Sequence, residues 1–184
     1  FKSDPVPDSV VENILATATF APSAHNRQPW RFCVVTDSSV KQKLADAMAI
    51  EFKRDLEKDN LPQAEIQKRT TRSRERFIAA PVVIILNVDM SDMDVYPDEK
   101  RNKAEYLMAV QSVANAGMQM LLAAHAEGLG GVWVCSPLFV QETIHNILEL
   151  PKTWEPQAMF FIGYPQDIPA VRERKSIQEI SIFI

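Results

Sequence analysis

The chain has 184 residues and a mass of 20.8 kDa, and 46% of its residues are hydrophobic, 24% are charged and the formal net charge is −4. This length favours one globular domain, and the composition excludes a wholly disordered chain. The pI near 5.4 argues against a nucleic-acid-binding protein, and the longest strongly apolar stretches are too short for a transmembrane helix. Because Phe1 is not an initiator methionine, we expect a further segment to precede it.

The first half of the chain predicts three helices and two strands. The helices are predicted over residues 8–20, where a proline follows, and over 38–58 and 62–78, which an Asn-Leu-Pro break separates. Residues 31–36, Arg-Phe-Cys-Val-Val-Thr, predict a strand. Residues 81–88 form a continuous β-branched apolar run, which is typical of a buried central strand.

The second half of the chain predicts the longest helix, over residues 102–127, with Gly128 as the residue that ends it. The apolar residues of this helix cover more than one face, so we expect it to be central. Strands are predicted over 131–135 and 158–163, with a short helix over 137–150 between them. Isoleucines alternate near the C-terminus and predict a last strand within 176–184, paired with the chain's own sheet or added to a partner.

These elements are not in strict βα alternation, and they predict an α+β sandwich around one central mixed sheet with the long helix as its spine. The two cysteines, Cys33 and Cys135, lie far apart and form no metal motif, so the sequence predicts no metal site. Without a secretory signal, we expect a cytoplasmic protein with reduced thiols.

The most informative segment is the polar loop 21–32, Ala-Pro-Ser-Ala-His-Asn-Arg-Gln-Pro-Trp-Arg-Phe. Its Ser, Asn, Arg and Gln side chains lie within six residues between two prolines, so the loop presents hydrogen-bonding groups rigidly. Such a set suits a flat ligand with polar edges, and the alternative is an ordinary polar surface loop.

This loop resembles the flavin-binding loop of the nitroreductase superfamily. Three further segments resemble that superfamily in the same order: Tyr-Pro-Asp at 96–98 with Ala-Glu at 104–105, the stretch 126–137 around Gly-Leu-Gly-Gly-Val-Trp-Val-Cys-Ser-Pro, and Gly-Tyr-Pro at 163–165 with Arg-Glu-Arg-Lys at 172–175. The motifs resemble most the nitroreductase-like C-terminal domain of the glutamate ligases of deazaflavin-coenzyme biosynthesis. Vitamin-B12-ligand synthases that consume reduced flavin are a more distant likeness.

The resemblance implies one nitroreductase-like domain over 1–184, a three-layer sandwich with helices on both faces of its sheet. It implies FMN as the prosthetic group, NAD(P)H or a similar donor, and a domain-exchanged homodimer with shared flavin sites. The implied acceptor is a small conjugated molecule such as a nitroaromatic, a quinone or a deazaflavin precursor, with no nucleic acid and no membrane involved. The family also has a basic segment just upstream of the position of Phe1, which leaves the FMN affinity of this chain open.

The resemblance also implies roles for particular residues. In the loop, Ser23, Asn26 and Gln28 match positions that face the flavin, and Arg27 matches a position that reaches the flavin, a substrate or the other subunit. Residues Val134, Cys135 and Ser136 match the stretch whose backbone passes beside the reactive nitrogen of the flavin. The side chains Arg172 and Arg174 match the site of the FMN phosphate, and an exposed charged loop is the alternative there.

No catalytic side chain is certain from the sequence, because the backbone of Cys135 and Ser136 is expected to suffice. Two other functions stay open: an FMN- or deazaflavin-binding module of a larger ligase-type protein, and a flavin-fragmenting enzyme. The basic run from Lys68 to Arg76 is either a solvated helix face or a rim that attracts anionic substrates.

Overall fold

The computed structural model describes every residue from 1 to 184, and its elements follow the predicted order except at the C-terminus. The helices are α1 (Asp8–Ala18), α2 (Ser38–Lys58), α3 (Gln63–Ile78), α4 (Glu99–Ala126), α5 (Gln141–Leu148) and α6 (Ile177–Ile180). The strands are β1 (Trp30–Val35), β2 (Val82–Asp89), β3 (Gly130–Val134) and β4 (Trp154–Gly163). Two short 3₁₀ turns cover Ala24–Asn26 and Ser136–Phe139.

The four strands form one sheet in the order β1-β2-β4-β3, and every neighbouring pair is antiparallel. The prediction of a mixed sheet is therefore wrong for the single chain. A parallel pair would require a further strand, and no fifth segment of this chain joins the sheet. As predicted from its unbroken apolar sequence, β2 is buried along its whole length between β1 and β4.

Helices cover both faces of the sheet, and this confirms the predicted three-layer α+β sandwich. Side chains alternate along β2, so Val82 and Ile84 pack with α1 and α4, whereas Val83 and Ile85 pack on the opposite face with α2, α3 and α5. The two apolar clusters on either side of the sheet are the cores of the molecule.

The central helix α4 begins at its cap Asp98, whose carboxylate accepts the Arg101 backbone N–H at 3.0 Å. It ends before Gly128, whose φ of 75° is the left-handed conformation predicted for that position. In mid-helix, Gly117 admits the rings of Trp133 and Phe160, because a Cβ there would lie 2.6 Å from the Trp133 ring. By length and composition alone α4 would pass as a membrane span, although the sequence predicted none, but core helices of globular proteins meet the same criterion.

The C-terminal segment does not form the predicted strand. Residues Ile177–Ile180 form one helical turn closed by a capping box between Ser176 and Glu179, and Ser181 is extended beyond it. The side chains of Ile182 and Phe183 are about nine-tenths exposed, with values of 87% and 90%. Within one chain the alternating isoleucines therefore pair with neither edge strand, β1 or β3, and no apolar surface covers them.

Candidate functional site

Two of the predicted site segments lie at the same end of the sheet. In the antiparallel register, the first residue of β1, Trp30, pairs with Val88 near the end of β2. The last residue of β3, Val134, pairs with Met159 near the middle of β4, and the chain after it runs toward the start of β4. The loop that precedes β1 and the segment that follows β3 therefore project from one end. They lie at opposite edges, about 14 Å apart across the sheet, because neighbouring strands are spaced about 4.8 Å apart.

Side chains of α4 fasten the start of the loop to the helix. The Asn115 side-chain amide donates to the carbonyl of Pro22 at 3.2 Å, and the Ser112 hydroxyl accepts the Ala24 backbone N–H at 3.1 Å. These partners lie about 90 residues apart in sequence, with separations of 93 and 88. These two hydrogen bonds to the long helix thus fix the position of the loop relative to the sheet.

The rest of the loop has an unusual backbone. Three residues other than glycine, His25, Asn26 and Gln28, have positive φ angles of 51°, 54° and 51°. Such conformations are costly for most side chains and persist where the surroundings hold them. Here the Ser23 hydroxyl accepts the Gln28 backbone N–H at 3.1 Å, so Ser23 contributes to loop geometry. The side chains of Asn26 and Gln28 stay exposed and are joined only by a weak contact of 3.4 Å.

The structure pairs Arg27 with an acidic partner that the sequence did not suggest. Its guanidinium Nη2 lies 2.6 Å from Oδ1 of Asp94, in the connection between β2 and α4, and both side chains are about two-fifths exposed. Arg27 is therefore held against its own chain, and a surface ion pair of this kind contributes about 0–1 kcal/mol.

The segment after β3 carries an exposed thiol and a buried hydroxyl. The indole N–H of Trp133 donates to Sγ of Cys135 at 3.1 Å, and the Trp133 ring packs edge-on against Phe160 with a centroid distance of 4.7 Å. The Oγ atom of Ser136 is buried without any hydrogen-bond partner. A buried hydroxyl without a partner is costly, so this atom is a position where a ligand group would be stabilised.

A hydrogen-bond network that the sequence did not reveal lies at the same end of the sheet, between the two edges. Oε1 of Glu155 accepts from the Tyr106 hydroxyl at 2.6 Å, from Gln141 at 3.1 Å and from Gln157 at 2.9 Å. Burial, and then the hydrogen bond to Glu155, raise the pKa of Tyr106 to about 12, so it remains a neutral donor. Because Tyr106 and Glu155 are 49 residues apart, no local sequence pattern links them.

The structure does not bring Arg172 and Arg174 to the loop or to the β3 end. Both lie in the exposed segment between β4 and α6, and neither forms an ion pair. The Arg174 guanidinium donates only to the backbone carbonyls of Arg172 and Glu173, both at 3.2 Å. Both cations therefore lack an anionic partner within the chain.

The sequence profile of the Nitroreductase family matches residues 1–164. An iodotyrosine deiodinase from Haliscomenobacter hydrossis is 32% identical over 174 residues, which cover 91% of this chain and 74% of that protein. An NADH dehydrogenase from Thermus thermophilus is 28% identical, and the alignment covers 91% of this chain and 81% of that protein.

Solved structures share the fold over almost the whole chain. A BluB-like flavoprotein from Clostridium difficile superposes with a TM-score of 0.81 at 22% identity, covering 100% of this chain and 92% of that one. A nitroreductase-type protein from Desulfovibrio desulfuricans, solved in complex with FMN, has a TM-score of 0.73 at 24% identity, covering 98% of this chain and 87% of that one. At such identities the likeness shows a common fold.

Proposed function

Because the chain belongs to the nitroreductase family, we propose that it is an FMN-dependent oxidoreductase that passes two electrons from NADH or NADPH to a small conjugated acceptor. The observation that carries this proposal is that the loop Ser23–Gln28 and the segment Val134–Ser136 project from the same end of the sheet. The compartment proposed is the cytoplasm, where NAD(P)H is supplied.

The residues at this end fit the polar groups of FMN. The exposed amides of Asn26 and Gln28 offer both donors and acceptors, and the Ser136 hydroxyl is buried without a partner. Bound FMN supplies the two-electron chemistry, which no side chain of this protein provides. The chain's contribution is to bind and orient the ring, with the backbone N–H groups of Cys135 and Ser136 proposed as the donors that favour negative charge on it.

The unpaired guanidinium groups of Arg172 and Arg174 are proposed to hold the FMN phosphate. Guanidinium matches phosphate oxygens with two parallel hydrogen bonds, and neither arginine would have to break an existing ion pair to do so.

Replacing Arg174 with Gln should weaken FMN binding about tenfold or more, because a charge-assisted hydrogen bond contributes about 1.5–3 kcal/mol. Riboflavin lacks the phosphate, so its affinity should barely change, and Arg54→Gln on α2 is the control for loss of an exposed arginine. Quenching of flavin fluorescence measures all these affinities. Equal losses for FMN and riboflavin would rule out Arg174 as a phosphate ligand.

Each flavin site is proposed to be shared between two subunits of a homodimer. The loop and the β3 end lie at opposite edges of one sheet. In a homodimer, the loop of one subunit would lie beside the β3 end of the other. Half-exposed Leu107, Met118 and Leu122 lie within one face of α4 and offer an apolar contact surface. The exposed C-terminal isoleucines offer a segment for exchange, and added parallel to a partner's sheet they would produce the mixed sheet expected from the sequence.

For the acceptor, we propose a planar, anionic molecule, with a deazaflavin precursor as the leading candidate if the chain is related to the C-terminal domain of the deazaflavin ligases. Lys68 and Arg72 lie one turn apart on α3 and form no ion pair, so their positive charge would favour an anionic substrate. The second candidate is reductive dehalogenation of an aromatic substrate, which the 32% identity to an iodotyrosine deiodinase favours.

The test is stopped-flow absorbance of the FMN-loaded protein. NADH or NADPH should bleach the flavin, and the acceptors that restore its colour should identify the substrate class among nitroaromatics, quinones, a deazaflavin precursor and halogenated tyrosines. If a fully loaded protein is not bleached by either nucleotide, the oxidoreductase proposal is wrong and a binding module of a larger protein takes its place.

A further inference from the structure

Three potential metal ligands from distant parts of the chain converge beneath the loop. His25 lies in the loop, Asp94 in the connection between β2 and α4, and Glu105 in the second turn of α4. One ligand-type atom from each residue lies within 4.8 Å of the other two. The sequence predicted no metal site, because the three residues share no short spacing.

Glu105 is the member of this cluster that needs an explanation. The side chain is 0% exposed, and its Oε1 accepts only the Asp94 backbone N–H at 3.3 Å. Its other oxygen, Oε2, is buried and has no hydrogen-bond partner. A buried carboxylate without a cation or a full set of donors is strongly unfavourable.

The charges around Glu105 leave its negative charge uncompensated. Arg27 balances Asp94 through Oδ1 at 2.6 Å, which leaves the second oxygen of Asp94 available. His25 forms no ion pair with either carboxylate, although its ring is close to both. The formal charges of Arg27, Asp94 and Glu105 sum to −1, and the position between the ligand atoms is one where a cation would be stabilised.

We propose that His25, Asp94 and Glu105 bind one divalent transition-metal ion of the Zn²⁺ class. Zinc accepts imidazole nitrogen and carboxylate oxygen at about 2.0–2.2 Å, so the ligand atoms of a tetrahedral ion lie about 3.3–3.6 Å apart. The three ligand atoms, which lie within 4.8 Å of one another, would therefore move closer together by up to about 1.5 Å on binding. Three protein ligands leave one position for water, and the bound ion would tie the loop to α4.

The test uses chelator-treated, flavin-free protein and Zn²⁺ followed by isothermal titration calorimetry. One equivalent should bind to the unaltered chain. His25→Gly removes the imidazole and is compatible with the φ of 51° at this position. It should weaken Zn²⁺ binding on the order of 100-fold, because each ligand of a zinc site carries a few kcal/mol of the binding free energy. His125→Ala, near the end of α4, is the matched control and should bind like the unaltered chain.

Glu105→Gln keeps the shape of the side chain and removes its charge, and it should also lose Zn²⁺ affinity while its circular dichroism spectrum stays native. If Glu105→Gln does not fold, His25→Gly still decides the question, because His25 is exposed. Uptake of less than one equivalent, or equal Zn²⁺ affinity of His25→Gly and the unaltered chain, overturns the metal site. FMN binding is measured on the same samples, so retained FMN without zinc would reject this site and leave the proposed function standing.

Discussion

Deletion of the last nine residues, 176–184, should convert the proposed dimer to monomer and reduce FMN affinity by at least about tenfold. The removed segment makes no contribution to the sheet or to the apolar cores of its own chain, so the fold of the remaining chain should persist. Its exposed Ile182 and Phe183 would instead be buried on a partner, where each contributes about 1.5–3 kcal/mol when fully covered.

Light scattering at micromolar concentration, together with flavin quenching, measures both effects of the deletion. The deletion keeps Arg172 and Arg174, so any loss of FMN is assigned to the missing partner contact. A double substitution, Ile182→Ser with Phe183→Ser, is the control that keeps chain length and removes only the apolar groups. A native-mass dimer with unchanged FMN affinity in both variants would contradict the proposed role of the C-terminal segment, and a single-chain mass for the unaltered protein would contradict the shared-site proposal.

Phe160→Ala should have the largest effect on stability, lowering the apparent free energy of unfolding by about 3–5 kcal/mol. Phe160 is 0% exposed in β4, and its ring packs edge-on against the Trp133 ring where both rings meet Gly117. Removing the ring leaves a cavity under Trp133, whose indole N–H is bonded to Cys135 at 3.1 Å, so the segment after β3 should also become less ordered.

Urea denaturation at one fixed protein concentration measures this change, because the stability of an oligomer depends on concentration. Phe139→Ala is the matched control, since that ring is 78% exposed and its loss should cost less than about 1 kcal/mol. Similar losses for the two variants would contradict the assignment of Phe160 as the centre of the core on this face.

Several features of the fold were predictable because they depend on neighbouring residues. The apolar run of residues 81–88 predicted the buried strand β2, and the Asn-Leu-Pro break predicted the separation of α2 from α3. The left-handed conformation of Gly128 followed from its position after α4. The loop 21–32 was predicted as the candidate site from its residue types and its resemblance to the flavin-binding loop of the nitroreductase superfamily, and it lies at the end of the sheet.

The features that the sequence did not predict correctly depend on contacts between residues that are far apart in the chain. The alternating isoleucines near the C-terminus predicted a strand, but a strand must be brought alongside a sheet edge, and the fold places this segment against neither β1 nor β3. The Tyr106–Glu155 bond and the cluster of His25, Asp94 and Glu105 join residues that are far apart in sequence, so no spacing in the sequence indicates them.

The sequence by itself determined the residue types of the loop, the positions of the helices and the strands up to β4, and the presence of one long helix with apolar residues on several faces. Periodicity, caps and breaks act over a few residues, and they carry this information directly. Only the tertiary structure decided the strand order β1-β2-β4-β3, which places the loop and the β3 end at one end of the sheet but at opposite edges. Helices α1 and α4 cover one face of the sheet, and helices α2, α3 and α5 cover the other. This packing joins residues that are far apart in sequence, so no local pattern specifies the strand order.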